Sequence, residues 1–415
     1  MQVRIQDAIS GDREAEEAAR IIRACVHCGF CNATCPTYRL LGDELDGPRG
    51  RIYQIKALLE GGRPTFNIQK HLDRCLTCRA CETTCPSGVE YGRLLDIGRG
   101  WLESGAPRPL TQRVLRRLLR FWLPHPRRMR PLWNLGRVLR PLLPVSLRVW
   151  LDPGENDAHW PGPRHRRRML VLDGCVQQLA AARINQAAAR VFDRLGISLI
   201  RVPEAGCCGA LSYHLGAHEE GLDFMRRNID AWWPQVEAGI EAIVVTASGC
   251  GVTVKEYGRL LAHDPDYAVK AQAISALTRD PAEILAAEDL GGLKVKPRRV
   301  AFQSPCTLQH GQRLNGVTEG VLQSLGFDLV GVEDPHLCCG SAGTYSLLQP
   351  KLAGELRDRK LATLEKADPD VIASANIGCM LHLSPASRRP VVHWLELLAD
   401  QGRETGRSIL SPIQR

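Results

Sequence analysis

Cysteine is the residue type with which this sequence could do most chemistry, and its 415 residues include 16 of them. The cysteines separate into two groups of eight. In the first group, two quartets repeat at an offset of 50 residues, and each reads C-x2-C-x2-C-x3-C followed by proline. Thiolates so closely spaced are typical ligands of soft metal ions and of metal clusters. The first group consists of Cys25, Cys28, Cys31 and Cys35, then Cys75, Cys78, Cys81 and Cys85.

This spacing is that of bacterial ferredoxins with two [4Fe–4S] clusters, in which the fourth cysteine of each run binds the other cluster. Pro36 and Pro86 redirect the chain after each run. A zinc site is the alternative, but four-cysteine zinc sites normally use two well-separated C-x2-C pairs. The ferredoxin rule predicts one cluster held by Cys25, Cys28, Cys31 and Cys85, and a second held by Cys75, Cys78, Cys81 and Cys35.

The second group of eight cysteines forms a longer internal repeat. In both of its quartets an interval of 32 residues leads from the first cysteine to an adjacent Cys-Cys pair followed by glycine. Such pairs at matching positions favour metal or redox chemistry, and a further cluster is one interpretation. Buried structural thiols or a vicinal disulfide are the alternatives. The quartets are Cys175, Cys207, Cys208 and Cys250, then Cys306, Cys338, Cys339 and Cys379.

Short apolar runs and helical stretches around these cysteines predict a β-α-β-α-β unit that is used twice. Strands are expected at 168–173, 197–202, 242–246, 299–303, 327–332 and 370–374. Helices are expected at 181–195, 217–238, 310–325 and 348–365. Every cysteine of the second group then follows the carboxyl end of a strand, where open α/β sheets bind ligands. The sequence therefore predicts one cysteine-lined crevice in each repeat.

The expected fold class is α+β overall. A mainly helical, ferredoxin-like domain with two clusters is predicted for residues 1–106, and a linker rich in Arg, Pro and Trp for 107–166. Two tandem α/β, Rossmann-like cysteine-rich repeats are predicted to follow at 167–295 and 296–415. The Gly- and Arg-rich stretch 47–51 is predicted to be a turn that packs between the clusters.

The positive charge is concentrated in one segment. The net charge of the chain is +9, yet residues 107–168 contain 15 Arg, no Lys and three acidic residues, so the remainder is negative. An apolar helical stripe flanked by arginines, together with four of the eight tryptophans, favours peripheral contact with a membrane surface or an acidic partner. A solvated charged arm is the alternative. Because no nucleic-acid-binding motif accompanies the charge, no nucleic-acid partner is expected.

Several function classes are disfavoured by the sequence. Residues 1–24 resemble no signal peptide, and no apolar run approaches the ~18 residues of a spanning helix. Sixteen thiols in a reducing, cytoplasmic compartment argue for metal or redox chemistry over disulfides. No nucleotide-binding glycine motif is found. We therefore expect the two-electron oxidation of a substrate to occur on FAD in a partner chain, and the isolated chain not to be catalytic.

Ferredoxin-type quartets followed by two Cys-Cys-Gly repeats resemble the fused iron–sulfur subunits of heterodisulfide reductases, anaerobic glycerol-3-phosphate dehydrogenase and bacterial glycolate oxidase. The longer strings are most similar to those of the glycolate oxidase subunits, and they cover most of the chain except the basic segment and the extreme termini. These strings are RACVHCGFCNATCPTYRLLGDELDGPRGRIYQIKALLEG, HLDRCLTCRACETTCPSGVEYGRLLDIGR, EAGCCGALSYHL, NIDAWWP, TASGCG, KEYG, CTLQH and HLCCGSAGTY.

The resemblance implies a complex with two flavoprotein-type subunits that oxidises glycolate to glyoxylate, and also D-lactate. Electrons would pass to the respiratory quinone pool or another membrane acceptor, with the chain bound peripherally to the inner membrane. The resemblance implies the same eight cluster ligands as the ferredoxin rule. The alternatives are the iron–sulfur subunit of another flavin-dependent dehydrogenase, for glycerol 3-phosphate or lactate, and a thiol–disulfide enzyme like heterodisulfide reductase.

The chain departs from the heterodisulfide reductase pattern in the second group of cysteines. In those relatives each repeat ends in C-x2-C, whereas Thr253 and His382 occupy the last position here. A four-thiolate cluster, a quinone or partner pocket and a vestigial site therefore stay open for each quartet. Four histidines close to these quartets in sequence could be ligands or proton carriers, although such residues are more often structural: His214, His310, His336 and His382.

Overall fold

The computed structural model describes residues 1–105, 108–143, 148, 151 and 160–399. The N-terminal part, residues 1–105, contains helices but no strand. Short 3-10 turns at Asp7–Ile9 and Glu44–Asp46 accompany them. The helices are Arg13–Ala24, Phe30–Ala33, Pro36–Leu41, Pro48–Leu59, Phe66–Asp73, Ala80–Thr83 and Tyr91–Gly105.

Three long helices build the core of the N-terminal part. In Arg13–Ala24 the buried Ala15, Ala18, Ala19 and Ile22 follow the helical period and form one apolar face. The Asp12 side chain caps this helix by accepting a hydrogen bond from the backbone N–H of Ala15. The face packs against Pro48–Leu59 and Tyr91–Gly105. This core supports the short cysteine-bearing helices Phe30–Ala33 and Ala80–Thr83, which lie against each other.

The prediction of a turn at residues 47–51 is wrong, because these residues begin a helix. Gly47 is the N-cap of the helix Pro48–Leu59, and Pro48 occupies its first turn. Proline fits that position because the N–H it lacks has no partner inside the helix and its φ is already helical. Gly50 is required there, since a Cβ atom would lie 2.1 Å from the backbone oxygen of Glu44.

Two consecutive helices, Leu110–Trp122 and Pro126–Val138, are in contact, and we call them the Arg-rich hairpin. Pro124 lies between them, and Pro126 begins the second helix. Arg108 and Arg116 both bind the carboxylate of Asp73 in the N-terminal part, at 2.6 and 2.8 Å. Arg120 binds Glu220 further along the chain at 2.5 Å. The hairpin is therefore anchored on two parts of the molecule.

Two four-stranded parallel sheets follow, with the orders β2-β1-β3-β4 and β6-β5-β7-β8. We call the unit with β1–β4 the first repeat and the unit with β5–β8 the second repeat. The order in which strands are added to the sheet reverses between β1 and β3, and again between β5 and β7. A ligand-binding crevice is expected at the carboxyl ends of these strands. The strands are β1 Arg167–Val171, β2 Ile197–Arg201, β3 Ile243–Val244, β4 Thr278–Arg279, β5 Arg299–Gln303, β6 Asp328–Leu329, β7 Val371–Ser374 and β8 Val391–His393.

The α+β fold class and the doubled α/β unit are confirmed. The fourth strand of each sheet, β4 or β8, is an addition that the sequence analysis missed. The helix expected at 310–325 begins only at Val317, because a π-helical turn covers Thr307–Gly311. The helices of the first repeat are Gln177–Ala180, Arg183–Arg194, Ala210–His214, His218–Glu237, Ser248–Lys255, Tyr257–Leu260, Ala268–Leu277 and Pro281–Leu285. Those of the second repeat are Val317–Ser324, Tyr345–Leu348, Pro350–Glu365, Ile377–Leu383 and Trp394–Ala399.

The two repeats share one hydrophobic core, which includes apolar side chains of both sheets. The helix Arg183–Arg194 packs against Trp394–Ala399, where Arg183 binds Glu396 at 2.7 Å. Near the carboxyl ends of the strands, the Ser248 N–H donates a hydrogen bond to the backbone oxygen of Ala375. These contacts bring the cysteine-bearing ends of the two sheets together.

Each Cys-Cys pair is followed by a glycine whose backbone conformation and close surroundings predict that no other residue is tolerated there. Gly209 and Gly340 have φ of +89° and +90°, and a Cβ atom there would lie 2.5 and 2.6 Å from a backbone oxygen. We expect Gly209→Ala or Gly340→Ala to lower the free energy of unfolding by roughly 2 kcal/mol or more. Thermal unfolding of the purified chain would measure it. Gly320→Ala is the control, because its helical site is open, and a comparable loss there would contradict the explanation.

Candidate metal centres

A small cavity in the N-terminal part is lined by five cysteines from both quartets of the first group. Cys25, Cys28 and Cys31 come from the loop before the helix Phe30–Ala33 and from its first turn, and Cys85 comes from the second quartet. Ile52, Val89 and Tyr91 supply part of the remaining wall. The cavity also includes Cys81, so the two quartets meet at this point.

A second cavity is lined by the complementary set of cysteines. Cys75, Cys78 and Cys81 surround it together with Cys35 from the first quartet. Pro36, Thr37, Arg51 and Tyr91 complete much of the wall. The fold thus brings each cysteine triplet next to the fourth cysteine of the other quartet. We call these cavities site 1, with Cys25, Cys28, Cys31 and Cys85, and site 2, with Cys75, Cys78, Cys81 and Cys35.

The backbone of both cysteine loops is bent in the same unusual way. His27 and Gly29 have positive φ of 57° and 87°, and Thr77 and Arg79, fifty residues on, have 53° and 61°. A β-branched residue such as Thr77 rarely adopts this conformation, and such strain is concentrated at functional sites. Alternating right- and left-handed residues turn backbone N–H groups into a concave nest of the kind that surrounds iron–sulfur clusters. The loops therefore fit anionic clusters.

Three polar groups contact the cysteine sulfurs of site 2. The Thr77 N–H donates to Cys75 Sγ at 3.4 Å, and the Tyr91 hydroxyl donates to the same sulfur at 3.7 Å. Cys35 Sγ lies 3.3 Å from the hydroxyl of Thr37. Since donors stabilise charge on cluster sulfurs, these groups favour the reduced form of a cluster at site 2.

A buried charge network lies beside site 2, and sequence reasoning did not identify it. The guanidinium of Arg51 is fully buried and donates to the Thr37 hydroxyl at 3.1 Å and to Asp46 at 3.4 Å. Asp46 also binds His71 at 3.0 Å and Arg74 at 2.8 Å. Two guanidinium groups, of Arg51 and Arg74, already bind the Asp46 carboxylate. The group formed by Asp43, Asp46 and His71 is therefore interpreted as part of a charge network and not as a metal site. A buried cation next to the thiolates offsets the negative charge of a cluster.

The second group of cysteines meets in one shared cavity of about 330 Å³. The prediction of a separate crevice in each repeat is therefore wrong, because the repeats pack with their cysteine-bearing ends facing each other. Ten thiols line the shared cavity, eight from the second group and two, Cys75 and Cys78, from site 2. Leu123, Met129 and Trp133 of the Arg-rich hairpin form part of its wall.

Within each repeat the four thiols are neighbours. Cys306 Sγ and Cys338 Sγ are 3.8 Å apart, and Cys339 contacts both Cys338 and Cys379. The first repeat has the same order of contacts, from Cys175 through Cys207 and Cys208 to Cys250. Two side chains hold the adjacent pair of the first repeat: Asn228 Nδ2 donates to the backbone oxygen of Cys207 at 2.8 Å and the Tyr257 hydroxyl to that of Cys208 at 2.9 Å.

Burial disfavours the thiolate form of three cysteines at sites 1 and 2. It raises the pKa of Cys78 and Cys81 well above that of an ordinary thiol, with neighbouring cysteines adding to the effect. Burial and the nearby Cys25 raise the pKa of Cys31 to about 11. Because only thiolates bind metals, cluster insertion must release these protons.

The side chains of His214, His310 and His382 have structural partners, and so does that of Thr253. His214 binds Asp96 at 2.9 Å, and His310 contacts both the Thr83 hydroxyl and the backbone oxygen of His336. His382 Nε2 lies 3.1 Å from the backbone oxygen of Ala353. The Thr253 hydroxyl donates to the backbone oxygen of Gly249.

The arrangement of thiols also bears on zinc. In a tetrahedral four-cysteine site the sulfurs are about 3.8 Å apart, because each Zn–S bond is about 2.3 Å long. Within the described residues, no three thiols lie within 4.8 Å of one another. The sulfurs are therefore spread more widely than a preformed zinc site requires, which favours a larger guest.

Comparison with known proteins agrees with this chemistry. A model of the 4Fe-4S dicluster domain matches residues 21–89, and a model of the cysteine-rich domain matches 169–255 and 300–384. The glycolate oxidase iron-sulfur subunit of Escherichia coli (strain K12) is 55% identical over 401 residues, which is 96% of this chain and 98% of that protein. This chain belongs to the glycolate oxidase iron–sulfur subunit family.

Other relatives share the family's features over different lengths. The probable glycolate oxidase iron-sulfur subunit of Bacillus subtilis (strain 168) is 30% identical, covering 91% of this chain and 93% of that protein. Lactate utilization protein A of Geobacillus kaustophilus (strain HTA426) is 28% identical over 50% of this chain and 87% of that protein. The family resemblance seen in the sequence is thus confirmed. Among the described residues, no helix has the length and apolar character needed to cross a bilayer.

The hydrogen bond from Tyr91 to Cys75 allows a test on the loaded protein. We expect Tyr91→Phe to make the reduction potential of one cluster more negative, because the reduced cluster loses a donor to its sulfur. Redox titration followed by low-temperature EPR would measure both midpoints. Tyr267→Phe is the matched control, since its hydroxyl binds Asp230. Equal midpoints in wild type and Tyr91→Phe would contradict the expectation.

Proposed function

We propose that this chain is the electron-transfer subunit of a complex that oxidises glycolate to glyoxylate, or D-lactate to its 2-oxo acid. The observation that carries the proposal is the pairing of each cysteine triplet with the fourth cysteine of the other quartet. Two [4Fe–4S] clusters in these sites would each accept and release one electron at a time. The family relationship supports glycolate as the substrate class.

The proposed ligands are Cys25, Cys28, Cys31 and Cys85 at site 1, and Cys75, Cys78, Cys81 and Cys35 at site 2. Substrate oxidation removes two electrons and two protons, which requires a two-electron carrier before single electrons can move on. We assign that step to FAD in a flavoprotein partner, because no phosphate-binding glycine motif is found in this sequence. The isolated chain would then have no glycolate-oxidising activity.

The shared cavity supports an exit for electrons on the far side of site 2. Cys75 and Cys78 line both site 2 and the shared cavity, so site 2 is continuous with the cysteines of the repeats. Those cysteines could hold a further cluster, and we propose the respiratory quinone pool as the final acceptor. A quinone takes up two electrons and two protons, which balances the oxidation of one substrate molecule.

The Arg-rich hairpin supports peripheral attachment to the inner membrane from the cytoplasmic side. Leu110, Val114, Leu118 and Phe121 form one exposed row on its first helix, and Leu132, Leu135 and Val138 are exposed on the second. Residues 110–143 contain nine arginines and no acidic residue. Exposed apolar rows flanked by arginines are suited to the surface of an anionic bilayer.

Two other activities are less well supported. A lactate-specific dehydrogenase is favoured by the lactate utilization relatives, but these match only half of the chain. A thiol–disulfide enzyme like heterodisulfide reductase would use the cysteines of the repeats. That activity is disfavoured by Thr253 and His382, which bind backbone oxygens where those relatives have their fifth cysteine.

If each fourth cysteine binds the cluster of the other quartet, replacing one of them should remove only that cluster. Cys85→Ser should remove the cluster of site 1 and leave that of site 2, because Cys85 lines site 1. Cys35→Ser should do the reverse. Iron and sulfide analysis with EPR of anaerobically purified protein would separate the two cases. Loss of the site 2 signal in Cys85→Ser would refute the exchange.

The proposed function predicts that reduction of the clusters by substrate requires the flavoprotein partner. Glycolate should reduce the clusters only in the presence of the flavoprotein, whereas dithionite should reduce them in the isolated chain. EPR and visible spectra recorded anaerobically would follow the reduction. Direct reduction of the isolated chain by glycolate would contradict the assignment of substrate oxidation to the flavoprotein. A lack of reduction by glycolate in the assembled complex would reject the proposed substrate.

The hairpin predicts binding to anionic lipid. The loaded chain should sediment with vesicles of phosphatidylglycerol and phosphatidylcholine, and less with phosphatidylcholine alone or at high salt. Leu118→Glu with Leu135→Glu should weaken this binding at least tenfold, because two carboxylates replace apolar contacts. Val269→Glu, an equally drastic change at an exposed valine elsewhere, is the control. Unchanged sedimentation of the double variant would refute this attachment.

A further inference from the structure

The two cysteine loops of the N-terminal part are alike in sequence and backbone, but their surroundings differ. At the offset of 50 residues, Val26 corresponds to Leu76 and Phe30 corresponds to Ala80. Leu76 is 6% exposed and Ala80 is 1% exposed. Val26 is 66% exposed and Phe30 is 60% exposed. One loop is therefore covered and its counterpart is open.

The cover of the second loop comes from the second repeat. Leu76, Cys78 and Ala80 form a buried apolar cluster with Cys338, Tyr345 and further side chains of that repeat. The helix Pro350–Glu365 supplies Leu352, Ala353 and Leu356 to this cluster. Site 2 is thus linked to the next group of thiols through close apolar packing between two protein surfaces.

The open loop has the composition of a protein interface. Val26, His27, Cys28 and Phe30 are all exposed, and the ring of Tyr53 lies edge-on to that of His27 at 6.2 Å. Apolar and aromatic residues are typical of interface centres, and aromatic anchors often dominate the binding energy. A ligand of site 1, Cys28, lies within this surface. Contact here brings a partner directly against site 1.

The charges around the open loop are largely paired within the chain. Arg49 binds Glu44 at 2.6 Å, and Lys56 binds Glu60 at 2.5 Å while lying over the Tyr53 ring. The Arg-rich hairpin differs in composition, because residues 110–143 contain nine arginines and no acidic residue. A small apolar centre with a paired rim is suited to another protein more than to an anionic bilayer.

We propose that Val26, His27, Phe30 and Tyr53 form the docking surface for the electron-donating flavoprotein. This inference rests on the proposed function and extends it by stating where on this chain the flavoprotein binds. The donor would cover site 1 as the second repeat covers site 2. Electrons would then enter at site 1 and leave through site 2 toward the shared cavity, one at a time, after the donor flavin has taken two from the substrate.

The test uses the loaded full-length chain and the flavin-containing protein that co-purifies with it. Phe30→Glu, alone and with Val26→Glu, should weaken binding to that flavoprotein at least tenfold, because a charge replaces an apolar anchor. Glycolate-driven reduction of the clusters at limiting flavoprotein should slow in parallel. Dithionite reduction, iron content and the thermal midpoint should stay as in wild type. Val269→Glu is the control, with an exposed valine elsewhere on the surface.

The outcomes separate this inference from the function on which it rests. If glycolate and flavoprotein fail to reduce the wild-type clusters, the proposed function is rejected. If they reduce wild type and both glutamate variants equally, the function stands and the docking surface is rejected. If the variants lose self-association or vesicle binding while the flavoprotein still binds normally, the surface serves a second copy or a bilayer, and the inference is also rejected.

Discussion

The structure depends on bringing each cysteine triplet to the fourth cysteine of the other quartet. The triplets can curl around a guest only with residues in left-handed conformations, at His27 and Gly29 and again at Thr77 and Arg79. The fourth cysteines, Cys35 and Cys85, precede prolines that start new chain directions. The long helices of the N-terminal part hold these strained loops in place. Neither half of the cysteine motif can therefore form a complete site without the other.

The symmetry of the cysteine motif is broken by what packs around it. Site 2 has a buried guanidinium, two hydroxyl groups near its sulfurs and a cover provided by the second repeat. Site 1 has an exposed loop. Two clusters held by equal ligands in these unequal surroundings would have unequal potentials, because charge, hydrogen bonds and exposure tune a cluster. Direction of electron flow can thus arise from packing while the coordinating residues stay the same.

Sequence reasoning was strong where the signal is local. The family assignment followed from the strings around the cysteines, and the α+β class followed from short apolar runs and helical stretches. It failed where the signal depends on tertiary contacts. Arg51 is an ordinary arginine in sequence, and only folding places it next to Thr37 and Asp46. The strand β4 has two residues, too few for a periodic pattern. The shared cavity depends on how the two repeats face each other, which no motif within one repeat encodes.

The shared cavity has a consequence for how the protein matures. Its wall includes Cys75 near the start of the chain, Trp133 of the hairpin and Cys379 near the end of the described residues. During synthesis these segments emerge far apart in time, and the cavity closes only when the last repeat has docked. A guest held by cysteines of both repeats would find its complete set of ligands only at that stage. Metal loading of this cavity would therefore be coupled to the final step of folding.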